Sequence, residues 1–142
     1  MASFKNAIRC MAGRAATTTM SGADEVAIGP PVEYGGRADT LNPEELFVAS
    51  INSCLMLVFY HFAEKSAIEV QSYEADAEGT VEKTKNGLRF ANVNVQARIR
   101  ASGMDIASKL GGVTGLAEKY CLVSNSVSCP VSYSVSLAKD GV

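Results

Sequence analysis

Between Leu46 and Ala63 the chain carries no Asp, Glu, Lys or Arg, and apolar side chains fall on every face of a 3.6-residue period. Such a run predicts a long helix that must be covered on all sides, by the rest of the fold or by a second subunit. Its start is marked: Asn42 suits a cap, Pro43 suits the first helical position, and Glu44 and Glu45 place negative charge where orphan N–H groups favour it. After Lys65 and Ser66 the period changes from helical to alternating. Ile68, Val70, Ala75 and Ala77 alternate with polar residues, and so do Leu88, Phe90, Val93, Val95, Ala97 and Ile99, with one break near Ala91-Asn92. Lys85-Asn86-Gly87 lies between these two arms as a hairpin turn, so they predict an antiparallel ribbon with one dry face. Ile106, Leu110, Val113, Leu116 and Ala117 keep helical spacing within a second helix from about Met104 to Tyr120, begun by Ser102 or Gly103 and weakened by Gly111, Gly112 and Gly115 unless close packing compensates. Val127 to Leu137 alternates as a last strand, with Pro130 marking an edge position or a strand start.

Upstream of the long helix, residues 3 to 10 and 14 to 20 predict a hairpin across Ala12-Gly13, followed by a turn at Ser21 to Asp24 and a short strand from Glu25 to Ile28. The stretch G-P-P-V-E-Y-G-G-R-A-D-T-L then reads as a long irregular loop, a feature often functional in a compact domain. The order strands, long helix, hairpin, helix, strand is an α+β pattern, and 142 residues correspond to one domain spanning 1–142.

Charge narrows the functional classes. With 13 Lys plus Arg against 15 Asp plus Glu, nothing marks a nucleic-acid or anionic-membrane partner. The apolar run approaches the length of a membrane span, but Ser50, Asn52, Ser53 and His61 interrupt it and strands flank it, so no membrane partner is expected. The first ten residues have no uninterrupted apolar core, and a cytoplasmic location is the expectation. Thiols are reduced there, so Cys10, Cys54, Cys121 and Cys129 are poor candidates for permanent disulfides. No C-x-x-C occurs, and His61 lies about 10 Å along the helix from Cys54 at 1.5 Å per residue. Neither a metal nor a cofactor is expected. Cys54, near the middle of the helix, is the candidate for chemistry, although a lone cysteine on an apolar helix is more often an inert packing residue.

The run N-P-E-E-L-F-V-A-S-I-N-S-C resembles the signature of the OsmC and organic hydroperoxide resistance superfamily, in which a Pro-Glu-x-Leu-Phe segment precedes the reactive cysteine by this interval. P-V-E-Y-G-G resembles the family's Pro-x-x-x-Gly-Gly loop, A-G-R at Ala12 to Arg14 its Gly-Gly-Arg turn, and A-E-K-Y-C-L-V-S-N its Cys-Pro-x-Ser segment. The resemblance covers nearly the whole chain. It implies an intertwined homodimer with antiparallel sheets around long central helices, and a thiol peroxidase that reduces organic hydroperoxides, and hydrogen peroxide as well, to alcohols or water. It further implies that Cys54 is the peroxidatic cysteine, Cys121 the resolving cysteine, and Arg14 and Glu44 the polar pair beside the reactive sulfur. A dithiol, for which the family suggests a dihydrolipoyl group, would be the reductant.

The chemistry fits these roles. A thiolate must attack the peroxide, an arginine favours that charged form, Glu44 would hold the guanidinium by a forked hydrogen bond, and a second thiol converts the sulfenic acid to a disulfide. Three alternatives stay open. Arg37 competes with Arg14; Cys129, in a Cys-Pro-Val-Ser run that copies the family segment eight residues downstream, competes with Cys121; and a non-catalytic dimer binding a small apolar ligand at the subunit interface competes with the enzyme. Glu44 and Cys54 would be about 15 Å apart on an unbroken helix at 1.5 Å per residue. Either the first turn is separated by a bend or Glu44 meets the sulfur of a partner chain, and a two-chain site is the favoured expectation.

Overall fold

Two compact units, residues 1–47 and 48–142, make up the structure, a computed structural model that describes residues 1–10, 16–19 and 24–138. In the first unit β1 (Ala7–Cys10), β2 (Ala16–Thr19) and β3 (Glu25–Ile28) form an antiparallel sheet in that order. Cys10 pairs with Ala16 and Thr19 with Glu25, as the hairpin pattern requires. The Ala12-Gly13 turn, Arg14 and the turn residues 21–23 lie outside the described residues. Thr18, the buried member of β2, accepts a hydrogen bond from Asn6 Nδ2 at 2.7 Å.

The loop that follows β3 is tighter than its composition alone implies. Val32–Tyr34 make one 3-10 turn, Gly35 takes a left-handed φ of 85°, and the Gly36 N–H bonds Pro31 O at 2.9 Å. A Cβ at Gly36 would stand 1.7 Å from the Pro30 carbonyl oxygen, so only glycine closes this loop. Asn42 then caps α1 (Pro43–Lys65): its Oδ1 accepts the Glu45 N–H at 2.7 Å, and its Nδ2 donates to Glu45 Oε1. Two polar groups at the helix start are thereby satisfied reciprocally.

In the second unit β4 (Glu69–Thr84) and β5 (Gly87–Ser102) form the ribbon, joined by the two-residue turn Lys85-Asn86. The break at Ala91 is a bulge, with Thr80 facing Asn92 and Val81 facing Phe90. A second bulge, at Gln71, switches the alternation between Ile68-Val70 and Tyr73-Ala75-Ala77, so that both sets serve one face. Val93, Val95, Ala97 and Ile99 of β5 are fully or almost fully buried, and the opposite face carries Arg98 paired with Asp76 at 3.1 Å. At Gly79 a Cβ would meet Val48 of α1 and the Phe90 ring, both at 2.8 Å, so the missing side chain lets helix and ribbon approach.

The α+β class holds, with one pairing that departs from an antiparallel arrangement. β6 (Val131–Leu137) lies on the edge of the sheet, parallel to β5, with Tyr133 opposite Val95. The reason is α2 (Ile106–Tyr120), which carries the chain back along the ribbon so that the next strand starts at the same end. The strand starts at Val131 rather than Val127 because Pro130 has no N–H for the ladder, although its carbonyl accepts from Val93 at 3.0 Å. α2 begins two residues later than the spacing predicts, after Asp105 in a left-handed conformation with φ 54°. Its Gly111, Gly112 and Gly115 meet no described atom within 4 Å of an added Cβ, so no close packing among the described residues offsets them.

Within α1 burial is one-sided. Ile51, Leu55, Phe59 and Ala63 form an i, i+4 stripe in the core, whereas Leu57 is 64% exposed. By length and composition α1 is apolar enough to cross a membrane, but this stripe already belongs to the core of the unit. The helix ends in a paired cap: Ala67 N–H bonds Glu64 O, Ile68 N–H bonds Ala63 O at 2.9 Å, and Ala67 takes φ 55°. Lys109 Nζ adds a bond to Ser66 O at 3.0 Å, tying the start of α2 to the end of α1.

An L-residue in that left-handed position costs about 1–2 kcal/mol, and glycine returns part of this through its looser unfolded chain. Ala67→Gly is therefore expected to raise stability by about 0.5–1 kcal/mol, read as a higher urea midpoint at unchanged slope. A lower midpoint would show that the cap does not strain Ala67.

Candidate functional site

Cys54 and Cys121 meet. Cys54 stands half-buried on α1, and Cys121, fully buried, is the residue that ends α2, extended at φ −73° and ψ 106°. Each thiol is close enough to feel the other, and the backbone N–H groups of Val123 and Leu122 favour the charged form of Cys54.

Several local bonds hold the second cysteine in place. Val113 and Ala117 bury one side of α2, and Phe62 of α1 meets the Tyr120 ring at 5.5 Å between centroids. Beyond Tyr120 the chain leaves the helix in a compact turn through Ser126. Asn125 closes it, its N–H on Cys121 O at 3.0 Å and its Nδ2 on Lys119 O at 2.8 Å. Ser124 donates its backbone N–H to Cys121 Sγ at 3.5 Å and its hydroxyl to Cys121 O at 3.3 Å. Leu122 is 66% exposed.

Burial pushes the Cys54 thiol above its ordinary value of 9.0; the two backbone amides pull the other way, and Cys121 adds to the rise. Among the described residues no cationic side chain acts on this sulfur. Arg14 lies outside the described residues. Arg37 forks onto Asp39 at the surface, where its hydrogen bonds hold that carboxyl below the usual range. Glu44 has a buried Oε2 with no hydrogen-bond partner among the described residues, while α1 runs unbroken past it, without the separated first turn that was one alternative. Cys129, buried in the bend before β6, has no described interaction with Cys54. His61 stands exposed on α1 against the Phe62 ring.

The structure adds a group that sequence reasoning passed over. Tyr73 of β4 and Tyr133 of β6 share a hydrogen bond of 2.5 Å between their hydroxyls, with Phe59 and Tyr60 stacked on Tyr73 at 5.8 and 6.0 Å. Tyr133 is 8% exposed and close enough to Cys121 and Glu118 to feel both. The only signal in the sequence was a hydroxyl on the dry face of two alternating strands, which asks for a partner. Burial raises both phenols above their ordinary 10.0, the shared bond raising Tyr133 further.

Cys54, Tyr73 and Tyr133 all hold their protons more tightly folded than unfolded, so the unfolded chain binds fewer protons at high pH and stability falls as pH rises. This contribution is complete below the ordinary thiol value of 9.0 and is lost from there upward, through the tyrosine range. Urea midpoints measured from pH 8 to pH 11 are expected to fall, and to fall less in Tyr73→Phe; a profile as steep in that variant as in the parent would contradict the assignment.

The chain matches the family of OsmC-like proteins over residues 36–136, a span that contains Glu44, Cys54, Cys121 and Cys129 and starts after Arg14. The uncharacterized protein YmaD of Bacillus subtilis is 26% identical over 122 residues, covering 83% of this chain and 75% of that protein. In architecture the chain is similar to an OsmC-like protein of unknown function from Vibrio cholerae, with a TM-score of 0.83, 24% identity, and coverage of 95% of this chain and 99% of that one. It is also similar to an organic hydroperoxide resistance protein OsmC from Legionella pneumophila, with a TM-score of 0.74, 22% identity, and coverage of 98% and 100%. The family match therefore takes in the long helix, the ribbon and both sulfurs that face each other, and this chain belongs to the OsmC-like protein family.

Proposed function

We propose that this protein is a cysteine-based thiol peroxidase acting on organic hydroperoxides. The observation that carries the reading is the contact between a half-buried thiol on α1 and a fully buried one at the end of α2. The Cys54 thiolate attacks one peroxide oxygen; the O–O bond breaks, the sulfur is oxidised to a sulfenic acid, and the alkoxide leaves as the alcohol after taking a proton. Cys121 then attacks the Cys54 sulfur, the S–O bond breaks, and hydroxide departs with the thiol proton as water. An external dithiol, such as a dihydrolipoyl group, reduces the disulfide by exchange.

The reading includes a homodimer. The α1 stripe covers one side only, and exposed Leu57 and Tyr60 call for a second copy of the chain. On an unbroken helix Glu44 stands about 15 Å from Cys54 at 1.5 Å per residue, so its carboxylate, with Arg14, serves the sulfur of that second copy. The site needs such a cation, because burial alone leaves Cys54 mostly protonated at neutral pH. Organic hydroperoxide resistance proteins of this fold, such as that of Legionella pneumophila, support the substrate class.

Titration of free thiols before and after one equivalent of cumene hydroperoxide is expected to show the loss of two thiols per chain. Cys54→Ser abolishes the loss, Cys129→Ser leaves it intact, and Cys121→Ser leaves a sulfenic acid that dimedone traps. Retention of all thiols in the parent protein would instead support a non-catalytic dimer that binds an apolar ligand.

A further inference from the structure

Cys54 and Cys121 belong to two helices that a charged hydrogen bond joins far from the thiols. Lys109, in the first turn of α2, donates from its ammonium to Ser66 O at 3.0 Å, where α1 has just ended and Ser66 still keeps a helical bond to Phe62 O at 3.1 Å. The half-buried ammonium therefore sits at the negative end of the α1 dipole. Ser66 is twelve positions from Cys54 and Lys109 is twelve positions from Cys121, so each arm is about 18 Å long at 1.5 Å per residue. Antiparallel arms of equal length that share one end bring their other ends level. Between the ends the Phe62 and Tyr120 rings meet at 5.5 Å, each side chain leaning toward the start of its own helix and so toward the other.

We propose that Lys109 is a positioning residue: its bond to Ser66 O sets how far along α1 the second helix sits, and so holds the Cys121 thiol level with Cys54. Burial of Val113 and Ala117 determines which face of α2 turns inward, but apolar burial has no preferred direction along the axis. Gly111, Gly112 and Gly115 meet no described atom within 4 Å of an added Cβ and so lock no register, and the cap residue Asp105 makes no side-chain bond to the helix. A slip of one residue would carry Cys121 about 1.5 Å along the axis, whereas the Cβ–Cβ spacing of a disulfide varies over only about 1 Å. The step that needs this precision is closure of the Cys54–Cys121 disulfide. Its place in catalysis rests on the peroxidase reading; the placement of the two thiols does not.

Thiol–disulfide exchange tests this in a Cys10→Ser/Cys129→Ala background, where only the pair can react. Protein dithiol and glutathione disulfide give protein disulfide and two glutathione thiols, so two protein thiols are oxidised as one glutathione disulfide is reduced, and no peroxide is involved. The equilibrium constant is expected to fall about five- to tenfold in Lys109→Met, which keeps an apolar stem but loses donor and charge, and to recover in Lys109→Arg, which keeps both. A bond that merely stabilises the fold would lower the urea midpoints of the reduced and oxidised forms alike and leave the constant unmoved. Should Lys109→Met not fold, Lys109→Gln, a good helix former with a shorter, neutral side chain, takes its place with the same expected loss.

An unmoved constant in the folded methionine or glutamine variant, or a loss that arginine does not restore, overturns the assignment. Peroxide consumption by the parent protein separates the two ideas. A constant that falls on loss of Lys109 in a protein that consumes no peroxide keeps the positioning of the pair and removes the peroxidase; peroxide consumption with an unmoved constant does the reverse.

Discussion

The second unit depends on burying one stripe of α1 together with one face of a ribbon. Ile51, Leu55, Phe59 and Ala63 recur every fourth residue, and Val93, Val95, Ala97 and Ile99 every second; these eight are among its most buried side chains. Each large member contributes on the order of 1.5–3 kcal/mol by leaving water. Because the two periods are both satisfied, the helix has a fixed rotation about its axis, and Cys54, one position before Leu55, is held at the margin of the dry stripe. That margin is why the sulfur is half-buried: closer in it would be sealed, farther out it would lose Cys121.

The same core dictates how the second thiol arrives. A strand parallel to β5 needs a crossover connection, and α2 supplies it between Ser102 and Val131, returning the chain to the level of Val93, where β6 begins to pair. Its last turn ends where Phe62 meets Tyr120, and Cys121 follows directly at the helix end. Lys109, bonded to the carbonyl that ends α1, pins the other end. The position of the buried thiol is therefore a result of strand topology. A slip of one residue in β6 would turn Tyr133 away from Tyr73 and move the turn that carries Cys121.

Much of this was legible in the sequence. The cap at Asn42 and the hairpin turn at Lys85-Asn86 each follow from a residue whose chemistry permits little else, the bulge at Ala91 shows as a break in the alternation between Phe90 and Val93, and Pro130 offered the strand start as one of two readings. What escaped was non-local. The bulge at Gln71 leaves a change of phase between Val70 and Tyr73, which the sequence reading passed over because it took Ile68, Val70, Ala75 and Ala77 as one alternation. The parallel direction of β6 comes from the crossover rather than from its alternation. The site was half legible: Cys54 and Cys121 stand out as cysteines, but the amides of Leu122 and Val123 belong to side chains that carry no chemical signal, and the phenol pair needed the register of three strands. Arg14 lies outside the described residues and so stays on the footing that the resemblance provided.

The electrostatics of the pair show why its parts are needed together. Desolvation is the largest influence on Cys54, and it works against the thiolate that peroxide chemistry requires. A dry setting nevertheless has a use, since it limits the hydration that would quench the nucleophile and strengthens every dipole directed at it. Amides supply such dipoles without adding a side chain to the pocket, but they oppose only part of the burial effect, because the balance still leaves the thiol above 9.0. A full charge must make up the difference. In the dimer proposed above, that charge would be delivered on assembly, a reading supported by the exposed apolar face of α1 and by a buried Glu44 oxygen without a hydrogen-bond partner among the described residues.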